Sequence, residues 1–334
     1  MTQKEKRELT STGGGALPSK GWQMASPHEM RVNPSMLSDL GLYIEREMPH
    51  IRCLLVVRGG RLVYERYFQG PGRDDKHELM SGAKSFASAL VGIALQESFL
   101  HSTDERLVDF TDCAAWDTDP RIDRVTLKHL LTMTSGLHWG DRPAEVDRWL
   151  QSDGWLRRAL ELRVVHEPGS TFAYKPDPRL VAWIVSQATG MAASRFACTY
   201  LCEPLGISTW QWPIDSGRDG ISLRPRDMAK LGYLYLNRGL WGDRQVVQPR
   251  FVDQATRRQV QGGFPENQGY GYYWWVTTMR DRTTFYASGF GGQYILVVPA
   301  LDLVVVITSN PDRPHLENRT IVGERVIAAI DGEL

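Results

Sequence analysis

Apolar positions along the chain fall into three groups. Near the N-terminus, two β-rich runs in RCLLVVRGGRLVYERYF flank Gly59-Gly60, which is a hairpin signal. From about residue 100 to 245, apolar residues recur at helical spacing between Gly/Pro loops. Strand character returns in GYGYYWWVTTM, TTFYAS, QYILVVP and DLVVVITS, and ENRTIVGERVIAAI predicts a closing helix. This order predicts an α+β fold, in which an antiparallel sheet built from both chain ends is flanked by helices and an all-helical domain is inserted.

The same pattern predicts the domain boundaries. The chain has 334 residues, a length that suggests about two domains. We predict an α/β domain from residues 23–100 plus 246–334 and a mostly helical domain from 101–245. Residues 1–22 are polar and glycine-rich, and we predict a disordered leader there. This segment has no apolar core of a signal peptide, and no CxxC occurs among Cys53, Cys113, Cys198 and Cys202. We therefore expect a reduced, cytoplasmic protein.

The balance of charges argues against nucleic acid and anionic membranes as partners. Lys and Arg together number 39, and so do Asp and Glu. No net field therefore draws the chain to nucleic acid or to an anionic membrane. Apolar runs are too short or too interrupted to span a bilayer. We expect a small-molecule partner, and the sequence leaves the oligomeric state open.

One short motif suggests chemistry. In ELMSGAKSFASALVGIALQES, Ser81 and Lys84 stand three apart where a helix with a wide apolar face is predicted to begin. Chance alone gives about half an S-x-x-K match in a chain of this composition, so the motif gains weight only from its setting. Three residues apart on a helix, the two side chains share a face. A lysine that acts as a base must be neutral, and burial beside the positive end of a helix favours that form. A solvated lysine at a helix start is the alternative.

Further motifs follow in a fixed order: LKHLLTMTSGL (127–137), EPGSTFAY (167–174), RPRDMAKLGYLYLNRGLW (224–241) and ASGFGGQYILVVPALDLVVVITSN (287–310). Together with the S-x-x-K, they resemble the serine β-lactamase/penicillin-binding-protein superfamily. The nearest branch holds esterases and 6-aminohexanoate-oligomer (nylon-oligomer) hydrolases. The resemblance covers roughly residues 35 to 330. It implies a β-lactamase-like fold with the site in the cleft between the two domains.

The resemblance also assigns roles. It implies that Ser81 is the nucleophile and that Lys84 and Tyr174 handle its proton. A triad on a facing strand, Ala287-Ser288-Gly289, would bind substrate. The backbone N–H groups of Ser81 and Phe290 would form the oxyanion hole, where each donor matters by about 10²- to 10³-fold.

The sequence departs from the family at two positions. The second motif usually reads Tyr-x-Asn, but Pro176 stands where the asparagine would be. The third motif usually begins with Lys or His, and here it begins with Ala287. Both losses count against β-lactamase and carboxypeptidase activity and leave acyl transfer to water intact. Trp139 and Trp155 fall in the region that forms part of the pocket in the nylon-hydrolase branch, so each is a candidate substrate contact, with core packing as the alternative.

These observations predict a serine hydrolase, of the carboxylesterase or amidase type, that cleaves short-chain carboxylic esters through an acyl-enzyme on Ser81, with small linear amides as the second class of substrate. Two alternatives stay open: an amide hydrolase of the nylon-oligomer type, and a non-catalytic ligand-binding protein on the same fold. No histidine has a companion at metal-ligand spacing, and no G-x-S-x-G offers a rival serine. We expect neither a metal nor a cofactor.

Overall fold

An eight-stranded antiparallel sheet organises the chain. The computed structural model describes residues 18–112, 116–141, 143–216 and 220–332. Within these, the strands of the sheet are β1 (Ile51–Arg58), β2 (Arg61–Tyr67), β8 (Val260–Gln261), β9 (Gly269–Tyr270), β10 (Trp275–Met279), β11 (Arg282–Gly289), β12 (Gln293–Val298) and β13 (Leu303–Ser309). The sheet runs in the order β2-β1-β13-β12-β11-β10-β9-β8. The predicted α+β class is therefore confirmed.

The first hairpin forms where the glycine pair predicted it. Gly59 and Gly60 have φ of 53° and 72°, and a two-residue turn with positive φ at both positions matches the twist of the flanking strands. On its other edge β1 pairs with β13, from Ile51 opposite Ser309 to Arg58 opposite Leu303. The last strand, β13, therefore lies inside the sheet, between β1 and β12. It is buried along its whole length.

Helices cover both faces of the sheet. On one face, Gly232 lets a helix approach Ile295 and Val304, and on the other Gly323 brings the last helix to Leu296. The helices are α1 (Pro34–Glu47), α2 (Ala83–Gln96), α3 (Leu127–Leu131), α4 (Pro143–Leu150), α5 (Trp155–Leu160), α6 (Asp177–Thr189), α7 (Ala193–Ala197), α8 (Glu203–Leu205), α9 (Pro225–Leu236), α10 (Pro249–Ala255) and α11 (Glu317–Asp331). The closing helix predicted from ENRTIVGERVIAAI is confirmed as α11.

The region between the two sheet-forming ends is mostly helical, whereas the fold prediction made the inserted domain all-helical. It also contains short strands: β4 (Trp210–Gln211) and β5 (Ser222–Leu223) form a three-stranded sheet with β3 (His77–Glu78), and β6 (Leu240–Trp241) pairs with β7 (Arg244–Gln245). The β3–β5 pairing ties this region to the segment just before Ser81. The exact domain boundaries stay a prediction.

The N-terminal leader is described only in part. Residues 1–17 lie outside the described residues, as does Cys113. Pro18–Lys20 form a 3₁₀ turn, and the Trp22 indole is buried, donating its N–H to the Arg226 carbonyl at 2.8 Å. The described end of the predicted leader is thus packed against the fold. Among the helices that the structure describes, none is long and apolar enough to cross a membrane.

Candidate active site

Ser81 lies in a tight turn that leads into a buried helix. Met80–Gly82 form a 3₁₀ turn and α2 follows without a break. Met80 has φ of 50°, a conformation that costs energy for a residue with a side chain and that clusters at functional sites. The turn is held by the Leu79 N–H, which donates to the Ile221 carbonyl at 2.8 Å. The serine is half-buried at the start of α2, as the sequence predicted.

Lys84 lies one turn further along and faces Ser81. Its Nζ donates to the Ser81 Oγ at 3.0 Å, and the residue is 6% exposed. The same Nζ lies 4.9 Å from the centre of the Tyr174 ring. The alternative of a solvated lysine at a helix start is therefore wrong for this position.

Tyr174 reaches the pair from the helical region. The preceding Ala173 N–H donates to the Met133 carbonyl at 2.8 Å. The Tyr174 ring stacks on Trp275 with centroids 6.0 Å apart and planes 23° apart. Trp275 begins β10, so the tyrosine is braced by the sheet although it belongs to another part of the chain. The structure thus brings Ser81, Lys84 and Tyr174 together.

The triad Ala287-Ser288-Gly289 ends β11 beside the serine turn. Pairing of β10 with β11 goes no further than Trp275 opposite Tyr286, so β10 leaves this edge of the triad uncovered. A Cβ at Gly289 would lie 2.0 Å from the Leu79 carbonyl oxygen, which shows how closely the strand approaches the serine turn. Phe290 follows at 50% exposure. Ala287 is buried, at 1% exposure.

A buried carboxylate behind the triad was not found from the sequence. Glu266 precedes β9, and its Oε1 accepts hydrogen bonds from the Ser288 hydroxyl at 2.5 Å and the Tyr294 hydroxyl at 3.1 Å. Its Oε2 accepts from the Tyr286 hydroxyl at 3.2 Å and lies 3.6 Å from the Arg319 Nε. Burial and the Glu266 charge raise the pKa of both tyrosines well above the ordinary range. We call these five residues the Glu266 cluster.

The two candidate tryptophans lie in different surroundings. Trp139 is 2% exposed, stacks on Trp149 at 5.7 Å, and donates its indole N–H to the Asp177 Oδ1 at 2.7 Å. A buried ring whose polar atom is already paired favours a packing role over the predicted substrate contact.

Trp155 is half-buried, with the Arg179 guanidinium 4.4 Å from its ring centre. It lines a cavity of about 300 Å³ whose other walls belong to the helical region. Contact between either tryptophan and a substrate stays a prediction.

Three possible metal ligands converge elsewhere, at His50, His315 and Glu317, whose ligand atoms lie within 4.8 Å of one another. The two imidazole rings stack at 3.7 Å with planes 2° apart. The in-plane lone pairs of stacked rings run side by side and do not meet at one ion. The His50 Nε2 is also paired with the Asn318 Oδ1 at 2.7 Å. This arrangement fits two stacked imidazoles, each hydrogen-bonded to a neighbouring side chain, better than a metal site.

Comparison with known proteins places the chain in a family. The beta-lactamase family matches residues 50–327. The chain is 27% identical to the 6-aminohexanoate-dimer hydrolase of Paenarthrobacter ureafaciens over 292 residues, which are 79% of this chain and 74% of that protein.

Solved structures share the fold. A penicillin-binding protein homologue from Pyrococcus abyssi superposes with a TM-score of 0.71 at 18% identity, covering 90% of this chain and 77% of that one. EstCE1, described as a hydrolase with promiscuous acyltransferase activity, gives 0.70 at 17% identity, covering 89% and 97%. With the family match spanning most of the chain, these likenesses lead to one conclusion: the chain belongs to the beta-lactamase family of hydrolases.

Proposed function

We propose that the protein is a serine hydrolase that cleaves short-chain carboxylic esters, and small linear amides less readily, through an acyl-enzyme on Ser81. The observation that carries the proposal is the 3.0 Å hydrogen bond from Lys84 to Ser81 at a buried helix start. A buried lysine is costly unless it is paired, and here it contacts a serine hydroxyl. That placement suits a lysine that must exchange a proton with the serine.

The reaction follows from the positions of the groups. The Lys84–Tyr174 pair, with Lys84 neutral, takes up the one proton of the Ser81 hydroxyl while Oγ attacks the ester carbonyl carbon. The C=O electron pair moves to oxygen, and the resulting oxyanion is held by the N–H groups of Ser81 and Phe290. Collapse of this intermediate breaks the bond to the alcohol, which leaves with the proton. Water repeats the sequence on the acyl-enzyme, releases the acid and restores Ser81.

Two relatives support acyl transfer and differ on the substrate. The Paenarthrobacter ureafaciens protein is named for an amide dimer and EstCE1 for promiscuous acyl transfer. We favour esters because an alcohol is the better leaving group and needs less help from the site. Amide hydrolysis of the nylon-oligomer type is the second candidate, favoured by the identity to the amide hydrolase.

Mass spectrometry tests the proposal directly. The wild-type chain should gain the mass of one fluorophosphonate adduct and should turn over 4-nitrophenyl acetate. Ser81→Ala should do neither, since removal of one member of such a unit abolishes most of the rate. Ser102→Ala, which changes a half-buried serine after α2, is the matched control and should behave as wild type. Equal turnover by Ser81→Ala would assign the nucleophile elsewhere, and an unlabelled, inactive wild type would favour the non-catalytic binding protein.

A further inference from the structure

The Glu266 cluster places a negative charge directly behind β11, the strand whose triad is predicted to bind substrate. The Glu266 side chain is fully buried, and Arg319, its cation, is 12% exposed. Three hydroxyl groups converge on its two oxygens. An ionised carboxylate offers acceptors only, and these neighbours offer donors. The cluster therefore fits a charged Glu266.

The cluster is polarised toward the strand edge. The Oε1 is bonded to Ser288, the middle residue of the triad, at 2.5 Å. Arg319 lies on the Oε2 side, where its Nη1 also donates to the Tyr286 hydroxyl at 2.5 Å. The ion pair is thus a dipole with its negative end at Ser288.

The 2.5 Å hydrogen bond to Glu266 also determines which hydrogen bonds Ser288 can make to a substrate. A hydroxyl has one proton, and this one is held by a carboxylate in a short, charge-assisted bond. Only the lone pairs of Ser288 are left for any other group. Ser288 can therefore accept a hydrogen bond but has no proton to donate to a carboxylate.

Ser288 lies where a substrate would meet the sheet. It stands between Ala287 and Gly289, on the stretch of β11 that β10 leaves unpaired. Ala287 brings no charge there, and the Glu266 carboxylate lies one hydrogen bond behind this edge, 2.5 Å from the Ser288 hydroxyl.

We propose that Glu266 is a specificity-determining residue: it disfavours substrates with a carboxylate at this edge and favours neutral ones or ones with an ammonium or N–H group there. The inference rests on the proposed hydrolase function. Repulsion between like charges in a partly desolvated cleft is strong enough to change selectivity by about tenfold.

A charge series of esters tests it. The 4-nitrophenyl esters of adipic acid (one free carboxylate), hexanoic acid and 6-aminohexanoic acid have chains of equal length and differ at the far end in charge. The wild-type chain should show the lowest kcat/KM with the adipate. Glu266→Gln should raise the ratio of adipate to hexanoate kcat/KM about tenfold and lower the ratio of 6-aminohexanoate to hexanoate. The hexanoate reports any general damage to the site.

A second variant, Arg319→Met, should change the selectivity in the opposite direction. It removes the compensating cation and keeps Glu266, so it should lower the adipate-to-hexanoate ratio. General damage would move both variants in the same direction, whereas the charge effect moves them in opposite directions. If Glu266→Gln does not fold, Arg319→Met decides alone.

The outcomes separate the two claims. Ratios that stay unchanged in the variants, or that move together, would overturn the role of Glu266 and leave the proposed function intact. Hydrolysis of none of the three esters by the wild-type chain would remove the proposed function, and this inference with it.

Discussion

Gly289 lies against the backbone of Leu79, so close that a methyl group on its Cα would stand 2.0 Å from the Leu79 carbonyl oxygen. This contact joins strand β11, from the C-terminal part of the chain, to the turn that carries Ser81, two residues after Leu79. Neither half of the site is therefore positioned without the other.

Substitution of this glycine should separate the two halves. Gly289→Ala must push the strand away from the turn, and overpacking of this kind costs about 1 to 3 kcal/mol. We expect a loss of at least tenfold in kcat/KM for 4-nitrophenyl acetate, because a small misplacement of the oxyanion donor is costly. Gly72→Ala is the control, since its Cβ would meet nothing closer than 3.7 Å. Full activity in Gly289→Ala would show that the contact does not position the site.

Lys84→Arg should be nearly as damaging as Lys84→Ala. Arginine keeps the charge and most of the length but is not deprotonated in proteins. Ester turnover by the two variants and the wild-type chain provides the measurement, and circular dichroism checks the fold. Substantial turnover by Lys84→Arg would mean that Lys84 acts through its charge and not by exchanging a proton.

Ala287→Lys should improve the handling of carboxylate-bearing substrates. A charge-assisted hydrogen bond is worth about 1.5 to 3 kcal/mol, so kcat/KM for nitrocefin should rise roughly tenfold or more while uncharged esters gain nothing. Because Ala287 is buried, Ala287→Met serves as a control of similar size without charge. An equal gain in Ala287→Met would remove charge as the cause. Wild-type hydrolysis of nitrocefin as fast as of short esters would show that another residue already supplies the cation.

Asp177 should make the stability of the chain depend on pH. Burial raises the pKa of this carboxyl to about 7, against the hydrogen bonds of Ser135 and Trp139. Between pH of about 4 and 7 the folded chain holds a proton that the unfolded chain releases. The contribution of Asp177 to the free energy of unfolding therefore falls as pH rises through this window and is constant above it.

Asp177→Asn keeps the shape and the acceptor for Trp139 and has no charge to bury. Its free energy of unfolding should exceed that of the wild-type chain by about 2 to 4 kcal/mol at pH 8 and should match it at pH 4. Urea unfolding at the two pH values measures the difference. Asp39→Asn, at an exposed position on α1, should show no such dependence. A difference that is the same at both pH values would rule out the titration.

The hydrophobic pattern predicted the sheet because its signals are local. Alternating and continuous apolar runs predict where the strands lie, and Gly59-Gly60 predicts the turn of the first hairpin. The S-x-x-K motif also predicted a local contact, because residues three apart on a helix lie on the same face. The approach of Lys84 to Ser81 follows from that spacing, but the burial of Lys84 does not, because a solvated lysine could have the same spacing.

The rest depends on contacts between distant parts of the chain. Glu266 stands 22 positions from Ser288 in a loop with no motif, so nothing in the sequence marks it. Trp139 could not be placed for a similar reason: its partner Asp177 is 38 positions away, and pocket and core tryptophans look alike in a sequence. Side chains whose environment is made by another segment need the fold to be understood.

The pairing of Ile51 with Ser309 has a consequence for the chain while it is being made. The β1–β2 hairpin leaves the ribosome long before β13 exists, and synthesis of the intervening segment takes on the order of 10 to 50 seconds. During that time an apolar strand edge is unpaired and can join another nascent chain. We expect newly synthesised protein to depend on chaperones until its last strand inserts, and no N-terminal fragment to acquire activity before then.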